Sequence, residues 1–257
     1  MRALWKGSIG FGLVNIPVGL YSATEESNLT FVSLDKTSKG RIRYKKVSET
    51  TGKEVKAGDI MKAYDLGGDF VMVSEEDFEK AVPTKKDHIE IVQFVDEKQI
   101  DALYYEKPYY LAPEKGGDRA YVLLREALKK EKKGALGLFV FHNREWVCLL
   151  KSSEEAIVLH RLRFAEEIRG VDGLRMPSLS VKPEELKMAT SLIAQLTKPF
   201  KPEQFKDEYS AKLLKLIEAK AKGKTKAFKP MKVVHTTQTE DLMAKLKASL
   251  KPAKKAS

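Results

Sequence analysis

What most constrains this chain is a succession of short, strand-like apolar runs with only brief interruptions between them. Leu29–Leu34, Arg41–Val47, Phe70–Val73, Ile89–Val95 and Tyr104–Leu111 each gather β-branched, aromatic and aliphatic residues over a strand's length. Leu136–Phe141 and Trp146–Leu150 flank His142-Asn143-Arg144-Glu145 in the pattern of a hairpin, and Ala156–Phe164 supplies a further strand. Near the start, Ser8–Val18 alternates Ile9, Phe11 and Leu13 on one face and closes on a proline. Its glycines predict places where another backbone or a sharp bend comes close. Many short strands so closely spaced predict a barrel or a sandwich.

Helical periodicity is rarer and lies toward the C-terminal side. Asp118–Lys132 places Tyr121, Leu124 and Leu128 on one face, with Gly134 as the stop signal. After Pro177 the pattern changes. Ser180 is the expected cap of a helix with Pro183 in its first turn and Leu186, Ala189, Ile193 and Leu196 at helical spacing. Pro199 and Pro202 break it, and a second helix carries Phe205, Tyr209, Leu213 and Leu216 to a stop near Gly223. Residues 224–236 read as a basic linker. Thr237 and Glu240 form a capping box for a short last helix with Leu242, Met243, Leu246 and Leu250. The layout is a β-rich body over residues 1–179, a helical arm over 180–222 and a lysine-rich tail over 223–257.

Charge is distributed unevenly. The chain carries a net +11, of which the stretch from Lys215 onward holds +9, from twelve lysines against Glu218, Glu240 and Asp241. A second cluster, residues 36–62, sets nine Lys and Arg against Glu49, Glu54 and Asp59, a net +6. Such clusters suit a polyanion, because each neutralised phosphate releases condensed counterions. A solvated, solubilising surface is the plain alternative. Thr50-Thr51-Gly52-Lys53 gives the inner cluster a turn near its middle, and about 13 residues on either side could extend about 40 Å, more than the width of a duplex. Period-2 alternation puts Arg41, Arg43 and Lys45 on one face of the expected hairpin. The candidate DNA contacts are therefore Arg41, Arg43, Lys45, Lys46, Lys53 and Lys56 in the inserted segment, and Lys224, Lys226, Lys229 and Lys232 in the tail.

Catalytic patterns are missing from the sequence. His88, His142, His160 and His235 have no metal-ligand spacing, and Cys148 lies in an apolar strand, where a thiol is inert. Gly170-Val171-Asp172-Gly173-Leu174-Arg175 resembles the signature of nucleotidyltransferase ligases, but glycine stands where the nucleophilic lysine would be. Gly223-Lys224-Thr225 resembles the end of a P-loop whose earlier glycine is replaced by Glu218. No catalytic, metal or cofactor site is expected. No run of about 18 apolar residues occurs, and the opening lacks the apolar stretch of a signal peptide. A cytoplasmic, nucleoid-associated protein is the expectation, and the single cysteine fits that compartment.

Several stretches resemble one family, the prokaryotic Ku proteins of non-homologous end joining. Met1-Arg2-Ala3-Leu4-Trp5-Lys6-Gly7-Ser8-Ile9, continuing from Phe11 to Val18, is similar to the family's opening. Arg43-Tyr44-Lys45-Lys46, Gly52-Lys53-Glu54-Val55 and Asp59–Tyr64 are similar to its bridge segment. Ile89–Val95, Lys107–Pro113, Arg125–Leu128 and Tyr209–Lys222 follow in the family's order.

The resemblance implies an α+β, mainly β fold: a Ku-type β-barrel core with a bridge arm inserted at about 36–62, then the helical arm and the basic tail. It further implies a homodimeric ring that binds double-stranded DNA ends without sequence preference and performs no catalysis. The helical arm would embrace the partner barrel, with Phe205, Tyr209 and Leu213 as partner-binding residues. The region after the core would recruit a multifunctional ATP-dependent DNA ligase of the ligase D type. Some relatives resemble a zinc ribbon in the bridge. Residues 40–65 here contain no cysteine or histidine, and Ser48 stands where a cysteine would be expected, so zinc is not expected. A nucleoid-type architectural protein coating DNA through its lysine tail is the alternative reading.

Overall fold

The computed structural model describes residues 1–81 and 87–223. Two compact units divide the chain, Met1–Val171 and the part from Asp172 onward.

The first unit is a closed barrel of seven strands: β1 (Trp5–Phe11), β2 (Val14–Ser22), β5 (His88–Asp96), β6 (Tyr105–Pro113), β7 (Lys133–Phe141), β8 (Arg144–Ser152) and β9 (Ile157–Leu162). Around the barrel they run β1-β2-β6-β9-β8-β7-β5 and back to β1. Alternating directions cannot close a ring of odd number, so one neighbour pair must be parallel. That pair is β1–β5, matched over Ser8–Gly10 and His88–Glu90; every other pair is antiparallel. The seam explains the β1 glycines. A Cβ on Gly7 would lie 2.4 Å from the Asp87 carbonyl oxygen, and one on Gly10 would lie 2.4 Å from His88 Nε2. Ser8 Oγ and His88 Nδ1 bond across the seam at 3.1 Å.

Tight turns set the register. Gly12 takes φ +58° at the first position of the two-residue β1–β2 turn, as a II′-type hairpin requires, so the stretch predicted as one strand over Ser8–Val18 folds as two, and Leu13 is fully exposed in the turn rather than sharing a strand face with Ile9 and Phe11. The predicted β7–β8 hairpin turns on His142 and Asn143, with φ of 53° and 60°, and the strand resumes at Arg144. Inward residues Ile9, Ile16, Val18, Leu20, Ile89, Leu111, Phe139, Leu150, Ile157 and Leu159 form one fully buried cluster.

Helix α2 (Asp118–Glu131) packs Tyr121, Leu124 and Leu128 into that cluster, the face the periodicity predicts. It stops earlier than expected: Lys132 adopts the left-handed conformation at φ 53°. Gly134 serves within β7, where a Cβ would meet Leu149 Cδ1 at 2.6 Å. The Tyr121 hydroxyl donates to the Leu111 carbonyl at 2.6 Å and accepts from the Ile157 N–H at 2.7 Å, tying helix, β6 and β9 together.

Between β2 and β5 runs an inserted arm. It contains strands β3 (Lys62–Asp65) and β4 (Phe70–Val73), paired only with each other, and helix α1 (Glu75–Ala81). The predicted strands Leu29–Leu34 and Arg41–Val47 do not form. Among the described residues only the bridges Leu34–Arg41 and Val47–Glu54 exist, and no strand lies beside these exposed stretches to complete a ladder.

The second unit holds helices α3 (Pro183–Leu196) and α4 (Glu208–Ala221). The cap of α3 is Lys182, not Ser180: Pro183 already occupies the first helical turn, and Glu185 Oε2 accepts from the Lys182 N–H at 3.3 Å. Asp207 caps α4 by accepting from the Ser210 N–H at 3.0 Å. Phe205 lies before α4, at the end of the 3-10 turn Pro202–Gln204 and outside the helix predicted to carry it, and Gly223, φ +71°, follows the end of α4. The predicted linker over 224–236 and final helix near 237–250 lie outside the described residues.

Candidate nucleic-acid interface

The basic arm consists of two consecutive tight turns. In the first, the Asp35 and Ile42 N–H groups donate to the Gly40 and Ser33 carbonyls at 2.9 and 3.0 Å. The Asp35 carboxylate gathers the turn, accepting from the N–H groups of Thr37 and Ser38 at 3.3 and 2.8 Å and from the Ser38 hydroxyl. Those bonds, the Ser38 hydroxyl first, hold its pKa below the usual carboxylate value. In the second, Ser48 N–H donates to the Lys53 carbonyl at 2.9 Å and Val55 N–H to the Lys46 carbonyl at 2.8 Å. This is the Thr50–Lys53 turn that the sequence predicts, with Gly52 at φ +66°.

All six candidate cations of this segment, Arg41, Arg43, Lys45, Lys46, Lys53 and Lys56, are exposed. They are not equivalent. Lys45 Nζ lies 2.6 Å from Glu54 Oε2 across the second turn, whereas the other five have no ion pair with a described residue. Because Arg41–Val47 is not a regular strand, no pleat forces Arg41, Arg43 and Lys45 onto one face. The tail candidates Lys224, Lys226, Lys229 and Lys232 lie outside the described residues.

The arm's apolar side chains are as exposed as its cations. No residue from Ala23 to Ala81 is buried, although the segment contains Phe31, Ile42, Tyr44, Met61, Tyr64, Phe70 and Met72. The second unit behaves in the same way: none of residues 172–223 is buried. Of the predicted partner-binding residues, Phe205 and Tyr209 are 74% and 71% exposed, and Leu213 is half-buried. Phe205 stacks on Phe200 at 5.8 Å.

One cluster was not read from the sequence. Arg144 and Arg161 lie 4.4 and 3.9 Å from the Trp146 ring, and the indole N–H donates to the Phe141 carbonyl at 3.2 Å. Arg161 Nε donates to Glu106 Oε2 at 2.8 Å, and Arg144 Nη2 bonds Glu167 Oε1 at 3.3 Å. The Arg161 hydrogen bond, reinforced by the charges of Arg161, Arg163 and Arg144, holds the Glu106 carboxyl below its ordinary pKa. These contacts join strands adjacent in the barrel but distant in sequence, so only the strand order reveals them. Cys148 is fully buried, which pushes its thiol far up, and burial lowers His160.

Fold and site together define a closed-barrel protein carrying an inserted arm whose cations and apolar side chains both lie uncovered. The model of the Ku70/Ku80 beta-barrel domain matches residues 10–190. The chain is 39% identical to the non-homologous end joining protein Ku of Coxiella burnetii, over 99% of this chain and 96% of that protein. It is also 39% identical to the protein of that name from Archaeoglobus fulgidus, over 99% and 100%, and 37% identical to that from Mycolicibacterium smegmatis, over 99% and 83%. The chain belongs to the Ku family.

Proposed function

We propose that two copies of this chain form a ring that receives the end of a double-stranded DNA, protects it and delivers it to a joining enzyme in non-homologous end joining. Supporting this reading above all is the apolar surface of the arm and of the helical unit, which is left exposed among the described residues. Surfaces of this extent belong to permanent interfaces. The helical unit, through Phe205, Tyr209 and Leu213, embraces the second copy, and Arg41, Arg43, Lys46, Lys53 and Lys56 line the opening. The tail lysines Lys224, Lys226, Lys229 and Lys232 add affinity that depends on charge alone. The protein itself is not an enzyme. Joining belongs to a multifunctional ATP-dependent ligase recruited through the region after the core, in the cytoplasm at the nucleoid.

A ring that contacts phosphates and no base edges is blind to sequence and sensitive to salt. Its preference for ends follows from topology, since a closed ring can load only where the duplex stops. The test compares linear and relaxed circular duplex of one sequence at matched salt. Tight binding to the linear form and poor loading on the circle are expected. Equal affinity for the two would refute the ring and favour an architectural, DNA-coating protein.

A further inference from the structure

At the end of the barrel where α2 packs, the β1–β5 seam gives way. The two strands are matched only over Ser8–Gly10 and His88–Glu90; β1 then ends at Phe11, whereas β5 runs on to Asp96. A bulge between Ile91 and Gln93 shifts the β5 register, so Phe94 lies opposite Ala135, a residue of the buried face. Phe11 shares the face of Ile9, two residues before it, which is fully buried. The two rings meet edge to face at 6.0 Å. Between them and α2 lies a pocket of about 260 Å³ walled by Phe11, Phe94, Leu124, Ala127 and Leu128, with Glu131 and Lys133 at its rim. Phe94 belongs to the core face by register, yet it is 47% exposed.

Cations crowd one side of this apolar pocket. Leu128 also borders a second, polar cavity of about 340 Å³, where Lys98, Lys129 and Lys132 stand with Asp96 and Glu97. Both of those carboxylates are engaged, Asp96 with Lys133 at 3.7 Å and Glu97 with Lys151 at 2.7 Å. Lys98, Lys129, Lys130 and Lys132 have no ion pair with a described residue. Against these four stands Glu131, which leaves a local net +3. Lysines in the last turn of a helix complement its macrodipole, and that accounts for Lys129 and Lys130. It does not account for Lys98, which comes from the separate 3-10 turn Glu97–Gln99.

We infer that the pocket between α2 and the β1–β5 seam docks a short peptide of a partner protein, in which an aromatic or leucine side chain stands beside acidic residues. The inference is independent of the ring reading. Volume sets the size of the anchor: about 260 Å³ falls below the range of about 300–1,000 Å³ typical of small-molecule sites, and suits one or two apolar side chains. Leu123, 65% exposed and one helical turn before Ala127, extends the apolar strip along α2. Charge sets the flanks. Uncompensated lysines beside an apolar pocket favour carboxylates next to the anchor, whereas a phosphate backbone has nothing to place among Phe11, Phe94 and Leu124. The chain's own helical unit, residues 172–223, carries ten Lys and Arg against seven Asp and Glu, a net +3 and the wrong sign for this rim.

The test is selection of random short peptides displayed on phage against the full chain, then fluorescence anisotropy of the recovered peptides on wild type and on two variants. A127F fills the pocket from an exposed helical position, and K98A/K129A strips the rim without touching a buried residue. The expected peptides pair a Phe, Trp or Leu with several acidic residues, bind wild type, and weaken on each variant by about tenfold or more, the worth of one buried apolar side chain. A selection without that motif overturns the inference, as do peptides that bind both variants as tightly as wild type. Peptides that weaken on K98A/K129A but not on A127F bind by charge alone and overturn it too. Duplex binding and sedimentation of the variants expose the other occupants. If K98A/K129A loses duplex affinity and keeps its peptide affinity, the rim belongs to DNA; if A127F dissociates a dimeric wild type, the pocket belongs to a second copy. Either result overturns the inference. A wild type that is monomeric throughout sinks the ring reading and leaves this pocket to the peptide measurements. Should A127F fail to fold, A127M fills the same space with a stronger helix former and is read in the same way.

Discussion

The pairing of Lys45 with Glu54 makes a quantitative prediction about which arm cations hold DNA. Across the second turn these side chains cancel, while Lys46 beside them has no carboxylate partner among the described residues. Both members of the pair are more than half exposed, so the pair itself is worth only about 0.2–1 kcal/mol. Removing one phosphate contact from each of two copies reduces the slope of log K against log salt by about 1.8. Between 50 and 200 mM salt that is about a tenfold change in relative affinity, or about 1.4 kcal/mol. K46A should therefore weaken binding and flatten the slope by about that amount. E54Q, which frees Lys45 on each copy, should tighten binding and steepen the slope similarly. The double variant K45A/E54Q removes a neutral pair and should stay close to wild type. Fluorescence anisotropy of a short blunt duplex over a salt series reads all three. If K45A/E54Q loses as much as K46A, Lys45 abandons Glu54 for a phosphate in the complex, and the distinction drawn between the two lysines is refuted.

Two further predictions concern the barrel. Y121F keeps the ring but strips the bonds to the Leu111 carbonyl and the Ile157 N–H, leaving two buried polar groups unpaired; unfolding by urea should show a loss of about 2–4 kcal/mol, and a loss below about 0.5 kcal/mol would mean the hydroxyl is dispensable. E106Q removes a carboxylate whose folded pKa is depressed. Its contribution is therefore complete above the normal carboxylate pKa and is lost as pH falls through the lower folded value, so the urea midpoints of wild type and E106Q should differ at neutral pH and converge in acid.

The barrel was legible because its signals are local and agree with one another. Runs of β-branched, aromatic and aliphatic residues located β5 through β9 to within a few residues, and Asn143 and Gly12 supplied turn chemistry that needs no tertiary partner. Where local signals competed, tertiary packing decided. Gly134 reads as a helix stop, yet the space its missing Cβ leaves is filled by Leu149, and Lys132 takes the strained backbone instead. The Glu106–Arg161–Trp146–Arg144 cluster was invisible because it depends on β6, β9 and β8 being neighbours, an order that no local pattern encodes.

The arm failed to read for a different reason. Leu29–Leu34 and Arg41–Val47 have the composition of strands, but a strand needs a ladder partner, and among the described residues these two stretches have only isolated bridges. These apolar residues have no strand beside them and no burial among the described residues. The same holds for α3 and α4, where helical spacing is correct and nothing is buried. Sequence patterning in this protein therefore separates into two kinds: one satisfied within the barrel, and one left open along the arm and the helical unit. The division of charge runs through the open part, a net +6 over residues 36–56 and a net −4 over residues 62–81. A cation-rich stretch and an apolar, acidic stretch joined end to end are not suited to the same partner, because phosphates attract the first and repel the second.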